Sequence, residues 1–100
     1  MPATVSVLYP QGAKFDMKYY MSSHMPLVEK NWSQYGLTKW EVVQYNDDAP
    51  HCVQALLHMN STDDFQKAAA GPEAAEVFGD IPNFCDKQPT VMMGNYQGSS

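Results

Sequence analysis

The chain has 100 residues, 44% of them apolar and 17% charged, with a net charge of −5. That length fits one ordinary domain spanning 1–100 rather than two, and the apolar fraction excludes a disordered, solvating chain. All six basic residues are lysines, scattered along the sequence, and arginine is absent, so the clustered basic face of a nucleic-acid binder and the usual bidentate clamp for phosphate are both missing.

Thr4 to Tyr9 (TVSVLY) is β-branched and aromatic and stops at Pro10-Gln11-Gly12, a strand followed by a turn. Phe15-Asp16 opens a helix, with Asp16 as N-cap and Phe15 packing on Tyr20 as a hydrophobic staple. Pro26 lacks an N–H and its ring crowds the preceding turn, which predicts a break near Ser22 to Met25 and a second helical segment to about Tyr35, stopped by Gly36. Leu27, Val28, Trp32 and Tyr35 fall on one stripe of that segment. Lys39 to Tyr45 reads as a second strand, NDDAP (46–50) as a turn, and Cys52 to Met59 as a third strand with Val53, Ala55, Leu57 and Met59 on one face. Ser61 caps the next helix, whose first turn carries Asp63 and Asp64 as the helix dipole favours. That helix is expected to turn Phe65, Ala68 and Ala69 inward, meet Gly71-Pro72, and continue through Ala75 and Phe78 to Gly79. A loop from Asp80 to Pro89 leads to the last strand, Thr90 to Tyr96.

The order β-α-β-β-α-β gives the fold class: α+β, ferredoxin-like, one antiparallel sheet with both helices on one face. The last strand has Val91 and Met93 on one side and Met92 and Tyr96 on the other, both apolar, whereas a sheet wetted on one face alternates more cleanly. Burial of the second face against another copy of the chain is the simplest answer, so a homodimer is expected. Cys52 and Cys85 form no CxxC pair and read as small buried side chains in a reducing compartment. The segment MPATVSVLYP lacks the basic stretch and long apolar run of a signal peptide, and no apolar run nears the ~20 residues of a membrane span. The expected setting is the cytoplasm, without membrane partners.

The string Tyr9-Pro10, Phe15-Asp16, Tyr19-Tyr20, His24-Met25-Pro26-Leu27 and Trp32 resembles the EthD family, named from ethyl tert-butyl ether degradation. Asp80-Ile81-Pro82-Asn83-Phe84 and Gln88-Pro89 before the last strand continue the likeness, which runs over nearly the whole chain. The resemblance implies a dimeric α/β-barrel, two ferredoxin-like sheets packed face to face. Members of that family accompany oxidative degradation or polyketide-type pathways, and relatives include cyclases, dehydratases, decarboxylases and cofactor-free mono-oxygenases; a fold shared by such chemistries selects none of them.

The motif centres on His24. Set before the proline, its imidazole is placed to reach the space between helices and sheet, with Tyr20 one turn earlier on the same side. An imidazole titrating near neutrality can exchange a proton with an aromatic or β-keto compound in an apolar pocket; the alternative is a histidine bonded to a carbonyl freed by Pro26. Tyr9, Tyr20 and Trp40 offer hydroxyls or stacking walls for a substrate, or are plain core. Asn83 and Phe84 belong to a loop able to shut the pocket, Asn83 polarising a carbonyl, or simply close the turn into the last strand. Asp16 is better explained as a cap than as a catalytic acid. His51 and His58 are odd-spaced on a strand and point to opposite faces, and no HxH or HExxH is present, so no metal is expected. No GxGxxG or GxxxxGK[ST] occurs, so no nucleotide or flavin cofactor is expected either. With the chemistries that the resemblance implies, the expectation is a cofactor-independent lyase, cyclase or oxygenase acting on a small aromatic or polyketide-like metabolite, with His24 as general acid/base. The alternatives are a non-catalytic dimeric carrier of a hydrophobic metabolite, or a structural dimer whose interior is filled by Tyr20, Trp32, Phe65 and Phe78.

Overall fold

A computed structural model describes residues 2–100. Four strands, β1 (Ala3–Pro10), β2 (Leu37–Gln44), β3 (His51–Met59) and β4 (Thr90–Asn95), form one sheet in the order β2-β3-β1-β4, every neighbouring pair antiparallel. This is the ferredoxin-like α+β order expected from the sequence. The period of two sets the inside: Val53, Ala55, Leu57 and Met59 of β3 and Ala3, Val5 and Tyr9 of β1 are all buried beneath the helices.

The first helical stretch is one continuous run with a widened turn. Asp16 accepts from the Tyr19 amide at 3.0 Å and starts α1 (Met17–Tyr19). A π-helical turn over Tyr20–His24 follows, closed by the Met25 amide on the Tyr20 carbonyl, and α2 (Met25–Trp32) carries on. The break expected near Ser22 to Met25 is therefore not a break. Pro26 cannot donate to the carbonyl four residues back, and widening the turn by one residue absorbs that misfit without leaving the helix. Met25, Val28 and Trp32 form the buried stripe of α2.

A 3₁₀ turn over Ser33–Tyr35 ends at Gly36, whose φ is 103°. The left-handed backbone is what requires glycine; a Cβ built there would lie 2.7 Å from Asp64 Oδ2, a carboxylate tip that would have to swing aside. Gly36→Ala is expected to cost about 2 kcal/mol, read as a lower urea midpoint with an unchanged slope.

Ser61 accepts from the Asp64 amide at 3.1 Å and caps α3 (Thr62–Ala70); after Gly71-Pro72 the chain restarts as α4 (Ala74–Gly79). Phe65 and Ala68 face inward as expected, but Ala69 is exposed, about 100° round the helix from Ala68. In α4 Ala74 and Val77 are buried, Ala75 is exposed, and Phe78 is partly open to solvent while packing against Trp32.

The helices leave the other sheet face open. Cross-strand registers put Thr90, Leu8, Gln54 and Val43 in one row of that face, and Met92, Ser6, Leu56 and Glu41 in the next. It is a checkerboard rather than a uniformly apolar surface. Gln54 donates to Ser6 Oγ at 3.2 Å and accepts from the Tyr45 hydroxyl, and His58 Nε2 lies 2.7 Å from Glu41. The edge strand β4 is exposed throughout. Among the described residues no helix is long and apolar enough to cross a membrane.

Candidate active site

Two distant segments converge beside α2. The Asp16 amide donates to the Phe84 carbonyl at 2.8 Å, Phe15 bridges to Cys85, and the Lys14 amide donates to Asp86 Oδ1 at 2.8 Å. These bonds strap the loop after α4 to the start of α1. Within that loop a 3₁₀ turn over Ile81–Asn83 fixes Asp80 at its head. The widened turn carries His24 to meet it: His24 Nδ1 donates to Asp80 Oδ2 at 2.8 Å. The other carboxylate oxygen accepts from the Tyr19 hydroxyl at 2.7 Å and from Asn83 Nδ2 at 2.9 Å. π-helical turns recur where a side chain must be aimed at a site, and this one aims His24.

The imidazole is 4% exposed. Tyr20 stacks on it at 5.2 Å and 16°, and Phe84 tilts against it at 4.5 Å. Burial lowers the pKa of His24 below the ordinary histidine value, against the opposing pull of Asp80, so the ring is neutral at pH 7. Burial alone would raise Asp80, but hydrogen bonds from Tyr19, Asn83 and His24 outweigh it and hold the carboxyl below the usual range. An ionised Asp80 only accepts, which places the imidazole proton on Nδ1 and leaves the Nε2 lone pair as the free basic site. Burial likewise pushes the Tyr9 and Tyr20 hydroxyls well above the normal phenol range, so both stay protonated donors.

Between the helices and the sheet lies a cavity of about 30 Å³, whose lining includes His24, Tyr9, Tyr20, Trp32, Phe65 and Phe78. That volume holds one or two waters, so the four aromatics expected to fill the interior nearly do. Phe78 of α4 and Val91 of the edge strand, each 41% exposed, also line it and mark its mouth. Ligand pockets of ordinary size run to about 300–1,000 Å³, so a ligand enters only as those side chains give way.

His24, Tyr9 and Tyr20 come together on the cavity wall. Phe84 lies behind the imidazole as packing, and Asn83 sits on the outer side bonded to Asp80. Trp40 is elsewhere: its indole donates to Glu29 at 3.2 Å on the edge strand β2, away from the cavity. Asp16 acts as the helix cap. The sequence reading passed over Asp80 and Tyr19. Asp80 is separated from His24 by 56 positions, and a contact of that range leaves no periodic trace; its one local sign is its place just past the helix stop at Gly79. Among the described residues no three His, Cys, Asp or Glu side chains converge as metal ligands would.

No protein-family model matches this chain, and no curated protein matches it. Solved structures do. An EthD-like protein from Ralstonia eutropha JMP134 superposes with a TM-score of 0.80 at 28% identity, covering 93% of this chain and 89% of its own. An EthD family protein from Bacillus halodurans C-125 gives 0.75 at 21% identity, over 97% and 100%. SnoaB, a cofactor-independent oxygenase from Streptomyces nogalater, shares the fold with a TM-score of 0.66 at 10% identity, over 98% and 94%. Sequence identity and fold, both running over nearly the full length, relate this chain to the EthD family.

Proposed function

We propose that this protein is a homodimeric, cofactor-independent enzyme that uses His24 as general base and then general acid on a small aromatic or polyketide-like metabolite. The observation that carries this reading is a buried imidazole on the cavity wall whose Nδ1 is held by a carboxylate, which leaves Nε2 as its free nitrogen. Nε2 takes a proton from a C–H or O–H made acidic by a nearby carbonyl; the bonding pair stays on the substrate as an enolate or phenolate. The imidazolium so formed is stabilised by Asp80, and the Tyr20 hydroxyl, which accepts from Tyr9, offers its own proton to the developing oxyanion. Returning the proton to another atom completes an isomerisation, cyclisation or elimination. An electron-rich enolate is also what an oxygenase of this type presents to dioxygen. SnoaB stands on the same fold, which is compatible with such chemistry without selecting it.

The test begins with native mass spectrometry of gently purified protein, which reports both the dimer mass and any retained ligand. On that ligand or its analogues, His24→Ala is expected to lower turnover by about 10²–10⁴-fold with binding largely kept. Unchanged turnover removes His24 from the mechanism. Tight binding with no product after long incubation of the wild type replaces the enzyme by a carrier, in which His24 only orients its cargo.

A further inference from the structure

One side chain of the cavity wall carries a polar atom that the proton-transfer chemistry leaves unused, an N–H sealed beneath the wall. Trp32 is 2% exposed and lines the cavity, yet its indole Nε1 has no hydrogen-bond partner. A buried donor left unpaired costs about 1–3 kcal/mol. The chain's other indole, Trp40, is satisfied by Glu29. Trp32 is held edge-on by two rings, Phe65 at 5.7 Å and 90° and Phe78 at 5.8 Å and 65°, so its plane is fixed while its N–H goes without an acceptor.

We propose that Trp32 is the second polar anchor of the cavity, and that the site takes an uncharged, flat ligand with two oxygen acceptors, one reaching the Tyr20 hydroxyl beside His24 and the other, once the wall yields to the ligand, the Trp32 N–H. This rests on the reading of the cavity as a ligand site given above. Three further observations shape it. Besides His24, the polar side chains lining the wall are Tyr9, Tyr20 and Trp32; Tyr9 donates to Tyr20, which leaves the Tyr20 hydroxyl and the Trp32 N–H to donate and suits carbonyl or ether oxygens. No lysine lines the cavity and the chain has no arginine, so a carboxylate or phosphate would be buried without a counter-charge. Trp32 also lies eight positions beyond His24 on the helix, a rise of about 12 Å, the span of a two-ring compound substituted at both ends. The stacked Tyr20–His24 pair and the Phe65–Trp32–Phe78 group give the cavity aromatic walls.

Three bicyclic probes of nearly one shape separate the possibilities: 6-methoxy-2-acetylnaphthalene, with acceptors at both ends; 2-acetylnaphthalene, with one; and 6-methoxy-2-naphthoate, which is charged. Each is titrated into ¹⁵N-labelled protein, whose two indole N–H signals belong to Trp32 and Trp40. The two-acceptor ketone is expected to bind about 5–10-fold more tightly than the one-acceptor ketone, the worth of one net hydrogen bond. It should also move the Trp32 indole signal and leave that of Trp40 in place, while the naphthoate binds at least about 10-fold more weakly than its neutral counterpart. Trp32→Phe, with folding checked by the surviving Trp40 signal and amide dispersion, should erase the difference between the two ketones. Equal affinities in the wild type, a naphthoate that binds as well as the ketone, or a stationary Trp32 signal while His24 signals move would each overturn the Trp32 anchor and leave the cavity reading intact. If none of the probes moves any cavity-lining signal, the cavity reading falls and the anchor with it. Should Trp32→Phe fail to fold, the wild-type comparison alone decides.

Discussion

Replacing Asp80 by alanine is expected to lower the stability of the fold by about 3 kcal/mol and to reshape its dependence on pH. The carboxylate gathers three donors from three places: the Tyr19 hydroxyl on α1, His24 Nδ1 in the widened turn, and Asn83 Nδ2 in its own loop. Hydrogen bonds to a charged acceptor contribute about 1.5–3 kcal/mol each, and breaking a buried pair costs about 3–5. Asp80 retains 11% side-chain exposure and Asn83 faces solvent, which brings the sum down from the upper end. The pH arms follow from two displaced pKa values. Burial pushes His24 below its unfolded value near 6.5, against the opposing effect of Asp80. The unfolded chain therefore binds this proton first, and the stability His24 contributes is whole above that value and lost as pH falls through the folded one. Asp80, also depressed, contributes stability above its unfolded value near 3.9 that is lost at lower pH as its folded value is crossed. The wild-type melting temperature should thus fall from pH 7 towards pH 5 and again below about pH 4. Asp80→Ala removes the anion that supports a protonated His24, so the upper arm steepens and the acid arm flattens; His24→Phe flattens the upper arm instead. Melting curves of the three proteins across pH 3–8 check this. Parallel profiles would mean that the pair is not coupled as its geometry implies.

The same pair shows where sequence reasoning reaches and where it stops. Strand order, the caps at Asp16 and Ser61, the Phe15–Tyr20 staple (rings 4.8 Å apart) and the Gly36 stop were legible because each depends on residues within a few positions of one another. His24 stood out for a local reason as well, its place beside Pro26. Its partner did not, because pairing Asp80 with His24 depends on how the loop after α4 is strapped to residues 14–16, which no local pattern records. Trp40 was drawn in by residue type alone, and only the sheet order shows that β2 is an edge strand away from the cavity. Of the three inward positions expected on α3, Phe65 and Ala68 hold and Ala69 does not, because successive residues of a helix lie about 100° apart.

The homodimer proposed here depends on the open sheet face, and a single charge placed at its centre is the sharpest probe of it. Leu8 sits on β1, an interior strand, with its side chain on the helix-free side and Gln54 and Thr90 as its cross-strand neighbours. Around it the polar groups already satisfy one another, Gln54 with Ser6 and Tyr45, and His58 with Glu41. Packing a second sheet here would therefore strand few of them, while covering Leu8, Val43, Leu56 and Met92. Leu8→Glu should leave the monomer within about 1 kcal/mol of its original stability, because the side chain is only half-buried there and meets no acid across the strand. In a dimer closed by a two-fold axis the same change buries an unpaired carboxylate on each side, which costs about 3–5 kcal/mol and weakens association by about 10²–10³-fold or more. Sedimentation equilibrium across a range of concentrations measures this directly. Leu8→Ala, which removes volume without adding charge, should dissociate far less. The contrast between the two variants separates loss of packing from burial of a charge, and a dimer indifferent to Leu8→Glu would place its interface on some other surface.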